Sequence, residues 1–217
     1  MASLVLSLKG LPQEGDFLAA LAKGGVDHLV IGHLYYLTPQ SEAVKRMKEL
    51  PAETVFCSWL NERAALWVLK SLGVEEKWQI KDLAQIDDFA AFVASLPKGK
   101  GKKEELVEKL AERWYPVIDY ERCTSCQQCL EFCLFGVYEP AAGRIVVKNP
   151  EKCKPGCPAC ARVCAQKAVM FPHYEQDQEI AGVLSKVPAK ATCSGSCSSP
   201  KKESIDDLIS DLDELDL

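Results

Sequence analysis

The first hundred residues alternate two hydrophobic patterns. Short apolar runs rich in β-branched or aromatic side chains, at 4–8, 27–31 and 54–59, read as strands. Between them lie stretches whose apolar positions recur every three or four residues. Phe17, Leu18 and Leu21 share one face of a helix at 16–23, stopped by Gly24 and Gly25. Ala43, Val44, Met47 and Leu50 share one face of a helix at 41–50, ended by Pro51. A third helix at 61–72 has Asn61 as its cap, Glu62 in its first turn and Gly73 past its end. The order β-α-β-α-β-α predicts a small α/β domain on a parallel sheet over 1–96.

Beyond residue 74 the pattern weakens to a short strand at 78–80 and a helix from Asp87 or Asp88 to Ser95. The Pro, Gly and Lys of 97–103 read as an exposed connector, and 104–114, with Leu106, Leu110 and Trp114 on one side, as a charged helix. Together they form a linker between domains, 97–114. Residues 186–203 are poor in large apolar side chains and read as a flexible linker. At 204–217, Ile205, Leu208, Ile209, Leu212 and Leu215 line one face of an acidic amphipathic helix. So short a helix on a tether predicts docking to a partner protein.

Composition adds boundaries. The chain has 217 residues, 47% of them hydrophobic, and a net charge of −5, so it is expected to fold and to leave nucleic acid alone. No apolar run approaches the roughly 18 residues of a membrane helix, and the N-terminus lacks a basic segment ahead of its apolar stretch. The expected place of work is the cytoplasm.

The 11 cysteines change the picture most. In a cytosolic chain they point to metal or redox chemistry rather than a disulfide framework. Residues 119–171 hold an internal repeat, one half spaced CxxCxxCxxxC and the other CxxxCxxCxxxC. Three cysteines in a tight loop can wrap three corners of a cuboidal 4Fe-4S cluster, and the fourth comes from the other half. This assigns Cys123, Cys126, Cys129 and Cys164 to one cluster, and Cys153, Cys157, Cys160 and Cys133 to the other. Two structural zinc sites are the competing reading, disfavoured because zinc sites generally use paired CxxC knuckles.

At these residues the sequence resembles the bacterial-type ferredoxins with two 4Fe-4S clusters, over about 115–175. The resemblance implies a pseudo-twofold α+β domain at 115–185, with strands at 117–119, 137–139, 145–147 and 169–171, and one-electron transfer. Leu134 and Ala165 stand where that family usually has proline, the second loop carries an extra residue between Cys153 and Cys157, and Gly143 is placed to turn a hairpin.

The remaining candidates are less specific. Beyond the second and third strands lie His33, Tyr35, Tyr36, Ser58, Trp59, Asn61, Glu62 and Arg63, either a small site favouring an anion or a set of core aromatics and caps. No dinucleotide or P-loop motif occurs. Cys57 reads as a buried small hydrophobe, His173 as a surface or packing residue, and Cys193 with Cys197 as an incomplete dithiol or metal pair. The leading expectation is an electron-transfer protein or subunit recruited by its C-terminal helix. Its rivals are an oxidoreductase whose first domain holds a substrate or cofactor fed by the clusters, and an assembly adaptor.

Overall fold

In the computed structural model the described residues are 3–74 and 78–184, within a compact unit spanning 1–185. The expected tether and docking helix, with Ile205, Leu208, Ile209, Leu212 and Leu215, and the pair Cys193 and Cys197, lie outside the described residues.

The N-terminal part is built on a five-stranded sheet of order β4-β3-β1-β2-β5, with every pairing parallel. Its strands are β1 (Leu4–Ser7), β2 (His28–Ile31), β3 (Val55–Ser58), β4 (Gln79–Asp82) and β5 (Lys103–Leu106). The three central strands are buried along their whole length, and so read as nearly unbroken apolar runs. The edges, QIKD and KEEL, carry charge, which discourages further pairing.

Successive side chains on a strand point to opposite faces, which divides the apolar residues between two cores. Val5, Leu29, Ile31 and Phe56 pack with the buried residues of α2 (Glu42–Met47) and α3 (Glu62–Ser71). Leu4, Leu6, Val55 and Cys57 pack with Phe17 and Leu21 of α1 (Gln13–Gly24) and Val93 of α4 (Phe89–Ala94). The caps follow the sequence: Asn61 accepts from the Arg63 amide at 3.0 Å, and Gly25 closes α1 in the left-handed region at φ 66°.

The expected helix at 104–114 is replaced by β5 and an irregular segment. Without β5, β2 would be an open sheet edge, and pairing Lys103–Leu106 against it satisfies that edge. Asp27 fixes the approach by accepting the Lys100 and Lys102 amides, each at 2.8 Å. Arg46 holds Glu104 at 2.8 Å.

The cysteine-rich part contributes β6 (Val117–Ile118), α5 (Gln128–Phe132), β7 (Tyr138–Ala141), β8 (Arg144–Val147), α6 (Ala159–Val163), β9 (Val169–Met170) and α7 (Gln178–Ala181). β6 pairs with β9 and β7 with β8, both antiparallel, and Ala142 and Gly143 turn the β7–β8 hairpin with positive φ. Tyr115, Val117 and Met170 belong to the same buried cluster as Phe56 and Trp67, so this part shares a core with the sheet.

The expected fold class is thus corrected in its second half. The α/β parallel sheet is present, but the dicluster ferredoxin geometry is not. Among the described residues no group of three or more His, Cys, Asp or Glu is arranged to hold a metal ion. Nor is any helix among them long and apolar enough to cross a membrane.

Candidate functional site: two cysteine-lined cavities

The first cysteine loop hangs from Asp119, a buried acid at the end of β6. Its carboxylate accepts the amides of Glu121 at 2.9 Å and Arg122 at 3.3 Å, and its carbonyl accepts the Cys123 amide at 2.9 Å. Arg63 of α3 reaches the same carboxylate with Nε at 2.6 Å and gives Nη2 to the Lys167 carbonyl at 2.6 Å. Arg122 donates to the Gln166 carbonyl at 2.8 Å. The start of the first loop and the exit of the second are therefore clamped by two guanidinium groups.

Within the first loop, Ser125 and Gln127 take φ of 55° and 69°, a conformation side chains other than glycine adopt at a cost. These kinks flank Cys126, the exposed thiol of the loop. In the second loop the corresponding turn uses Gly156 at φ 76°, just ahead of Cys157. Each loop then enters a short helix bearing its third cysteine, Cys129 on α5 and Cys160 on α6, and both thiols are buried. Cys133 and Cys164 follow the helices directly, and the Ala168 amide donates to Cys164 Sγ at 3.3 Å.

The expected quartets come together as quartets. Cys123, Cys126, Cys129 and Cys164 line one narrow cavity of about 20 Å³, closed by Ile118, Ile145 and Val169. Cys133, Cys153, Cys157 and Cys160 line a second of about 380 Å³. The wall of the second includes Leu134 (92% exposed), Phe132 (53%) and Phe135 (41%).

The thiols sense their burial and one another. Burial, then Cys160, Cys123 and Cys164, push the Cys129 thiol up to about 12. Burial, then Cys160, Cys133 and Cys157, push Cys153 up to about 12. Cys160 stands at about 11, raised first by burial and lowered in part by its interaction with Tyr138. The Tyr138 hydroxyl, buried in the wall of the second cavity, finds no well-formed hydrogen bond even with that thiol beside it.

In neither cavity do three donors converge as a metal site requires. This overturns the expectation of two 4Fe-4S clusters, of iron-sulfur electron transfer by a ferredoxin, and of metal binding by Cys123, Cys126, Cys129, Cys133, Cys153, Cys157, Cys160 and Cys164. The alternative in which clusters feed a substrate site in the first domain falls with it.

Of the two readings for the residues beyond β2 and β3, an anion site or a set of core aromatics and caps, the structure matches the second. Asn61 is a cap, and Arg63 is committed to Asp119 and Lys167 rather than Glu62. Tyr35 stacks on Tyr115 with centroids 4.4 Å apart, Ser58 is buried, and Trp59 meets Phe89 edge-on. Cys57 is fully buried, and burial pushes its thiol far up.

His33 and His173, 140 positions apart, form a pair that no local pattern announces. Their Nε2 atoms lie 2.9 Å apart. The Tyr35 amide donates to His33 Nδ1 at 3.2 Å, which places the His33 proton on Nε2, directed at His173. His173 Nδ1 then faces the Tyr36 hydroxyl at 3.4 Å.

No protein-family model matches the chain. Sixty residues are 47% identical to an uncharacterized ferredoxin of Methanocaldococcus jannaschii. The match covers 27% of this chain and 41% of that relative, so the chain spans less than half the length of the protein it resembles.

Proposed function

We propose that this chain is a thiol redox protein of the cytoplasm, working by dithiol–disulfide exchange with a partner protein through the eight cysteines of its two cavities. The observation that carries the reading is the gathering of the cysteines, four to a cavity. Exchange requires two thiols within reach of each other and one that a partner can touch.

In the first cavity Cys126 is the exposed thiol and attacks, as thiolate, one sulfur of a disulfide on the partner. A mixed disulfide forms and one partner thiolate leaves. A second thiol of the quartet, as thiolate, then attacks the Cys126 sulfur and displaces the partner's sulfur, forming Cys–S–S–Cys within the quartet and releasing the second partner thiol. Two electrons and two protons pass from the quartet to the partner's disulfide, and nothing else is consumed. Cytosolic disulfides are typically transient and catalytic or sensing, which fits exchange better than a permanent framework.

The relative is named a ferredoxin, an electron-handling protein, and this favours a redox role for the residues it shares with this chain. Partner recruitment is assigned to 204–217, through Ile205, Leu208, Ile209, Leu212 and Leu215, by the amphipathic acidic pattern of that segment. No nucleic-acid partner is proposed for a chain of net charge −5.

The test is to equilibrate the full chain, purified without oxygen, against oxidised glutathione and to map the disulfides by mass spectrometry after alkylation. Disulfides confined within each quartet, reversed by dithiothreitol, are expected. Random pairing, or thiols that stay reduced while the fold is intact, would overturn the proposal.

A further inference from the structure

A third cavity, of about 430 Å³, lies between α3 and the strands β6 and β8, with no cysteine in its lining. Lys70, Arg113 and Lys148 are the charged residues of its lining, all three cationic, in a chain whose net charge is −5. Trp67, Tyr115 and Tyr120 are its aromatic residues. Volume and lining are those of a small-molecule site, which is commonly apolar with a few convergent polar groups.

Two of the cations are held in place. Lys70 Nζ sits 4.3 Å from the Trp67 ring centroid and 3.8 Å from Glu121, an acid at the surface and outside the lining. Arg113 lies 4.6 Å from the centroid of Tyr115 and donates to the Leu37 carbonyl at 2.8 Å. Arg113 uses only part of its donor capacity in these contacts, since a guanidinium offers five N–H groups. Lys148 is exposed at the end of β8.

We infer that this cavity binds a small planar anion, its flat ring against the aromatic wall and its charge among Lys70, Arg113 and Lys148. The ring gains area from Trp67 and Tyr120, and the anion gains charge-assisted hydrogen bonds that a neutral ring cannot make. This reading is independent of the thiol chemistry, because none of the cavity's lining residues is a cysteine.

The test uses adenosine monophosphate as the probe, with adenosine and inorganic phosphate as controls, titrated calorimetrically into the full chain. Adenosine monophosphate is expected to bind at least about tenfold more tightly than either control, since each control lacks one of the two recognised features. Lys148→Glu is expected to weaken it by about tenfold or more, and Lys148→Arg to leave it within about threefold of the unaltered chain. Lys148 lies in no core cluster, so neither substitution should disturb folding, and an unchanged melting temperature verifies this. Absence of probe binding, equal binding of adenosine or of phosphate, or indifference to Lys148→Glu would each overturn the inference.

Discussion

The His33–His173 pair makes the stability of the fold depend on pH with a sign and size that follow from its surroundings. Burial first, then the charges of His173 and Lys9, hold His33 down from 6.5 to about 3. Burial and Lys9 also lower His173, against the raising effect of Glu112 and Glu175. Both rings are thus kept neutral in the folded chain, whereas in the unfolded chain they take up protons as the pH falls through about 6.5. The stabilisation is fully present above that pH and is lost on the way down toward about 3. For His33 alone the loss by pH 5 is about 2 kcal/mol, from 1.5 pH units at 1.36 kcal/mol each. At a slope of about 2 kcal/mol per molar this moves a urea midpoint down by about 1 M.

The assay compares urea unfolding at pH 7.5 and pH 5 for the unaltered chain and for His33→Gln, whose amide can still donate to His173 but cannot titrate. The variant is expected to be somewhat weaker at pH 7.5, yet to lose about 2 kcal/mol less on acidification. Equal losses in the two proteins would show that His33 does not carry the pH dependence.

Three further expectations follow from other parts of the molecule. Arg63 is 12% and Asp119 5% exposed, so Arg63→Met, which leaves the carboxylate without its partner, should cost about 3–5 kcal/mol in urea unfolding. Loss of that clamp should also loosen the first loop, seen as faster alkylation of Cys129. In timed alkylation of the reduced protein near neutral pH, Cys126 should react first and Cys57 last, with buried Cys129 and Cys160 slow between them. A chain lacking 204–217 should keep its reversible quartet oxidation but lose co-purification with its partner, and full retention of the partner would place recognition in the folded unit.

The parallel sheet was legible because three of its strands are buried on both faces and its helices carry plain stop signals. Val55 to Ser58 could be nothing but an apolar run between helical patterns, and Gly25 and Gly73 mark ends that only left-handed residues suit. The segment at 104–114 was misread because Lys, Glu and Leu favour helix locally, while the open edge of β2 and the Asp27 carboxylate impose a strand from outside the segment. Local propensity carries no record of such a distant edge.

The cysteines assigned together by spacing line the same cavity, since a short loop followed by a helix leaves few ways to face four of them inward. Spacing does not fix the final placement of sulfur atoms in a cavity wall, and there the cluster expectation failed. The Arg63–Asp119 clamp joins residues 56 apart, and like the histidine pair it left no trace in either local pattern.

Analysis of the full chain, purified without oxygen, for thiol count, iron and acid-labile sulfide together distinguishes thiol exchange from cluster chemistry. Titratable thiols at all eight quartet positions, only substoichiometric iron and sulfide, and loss of those thiols in pairs on oxidation are expected. Iron and sulfide in several-fold molar excess over the chain, with the quartet thiols unavailable to alkylation, would contradict thiol exchange.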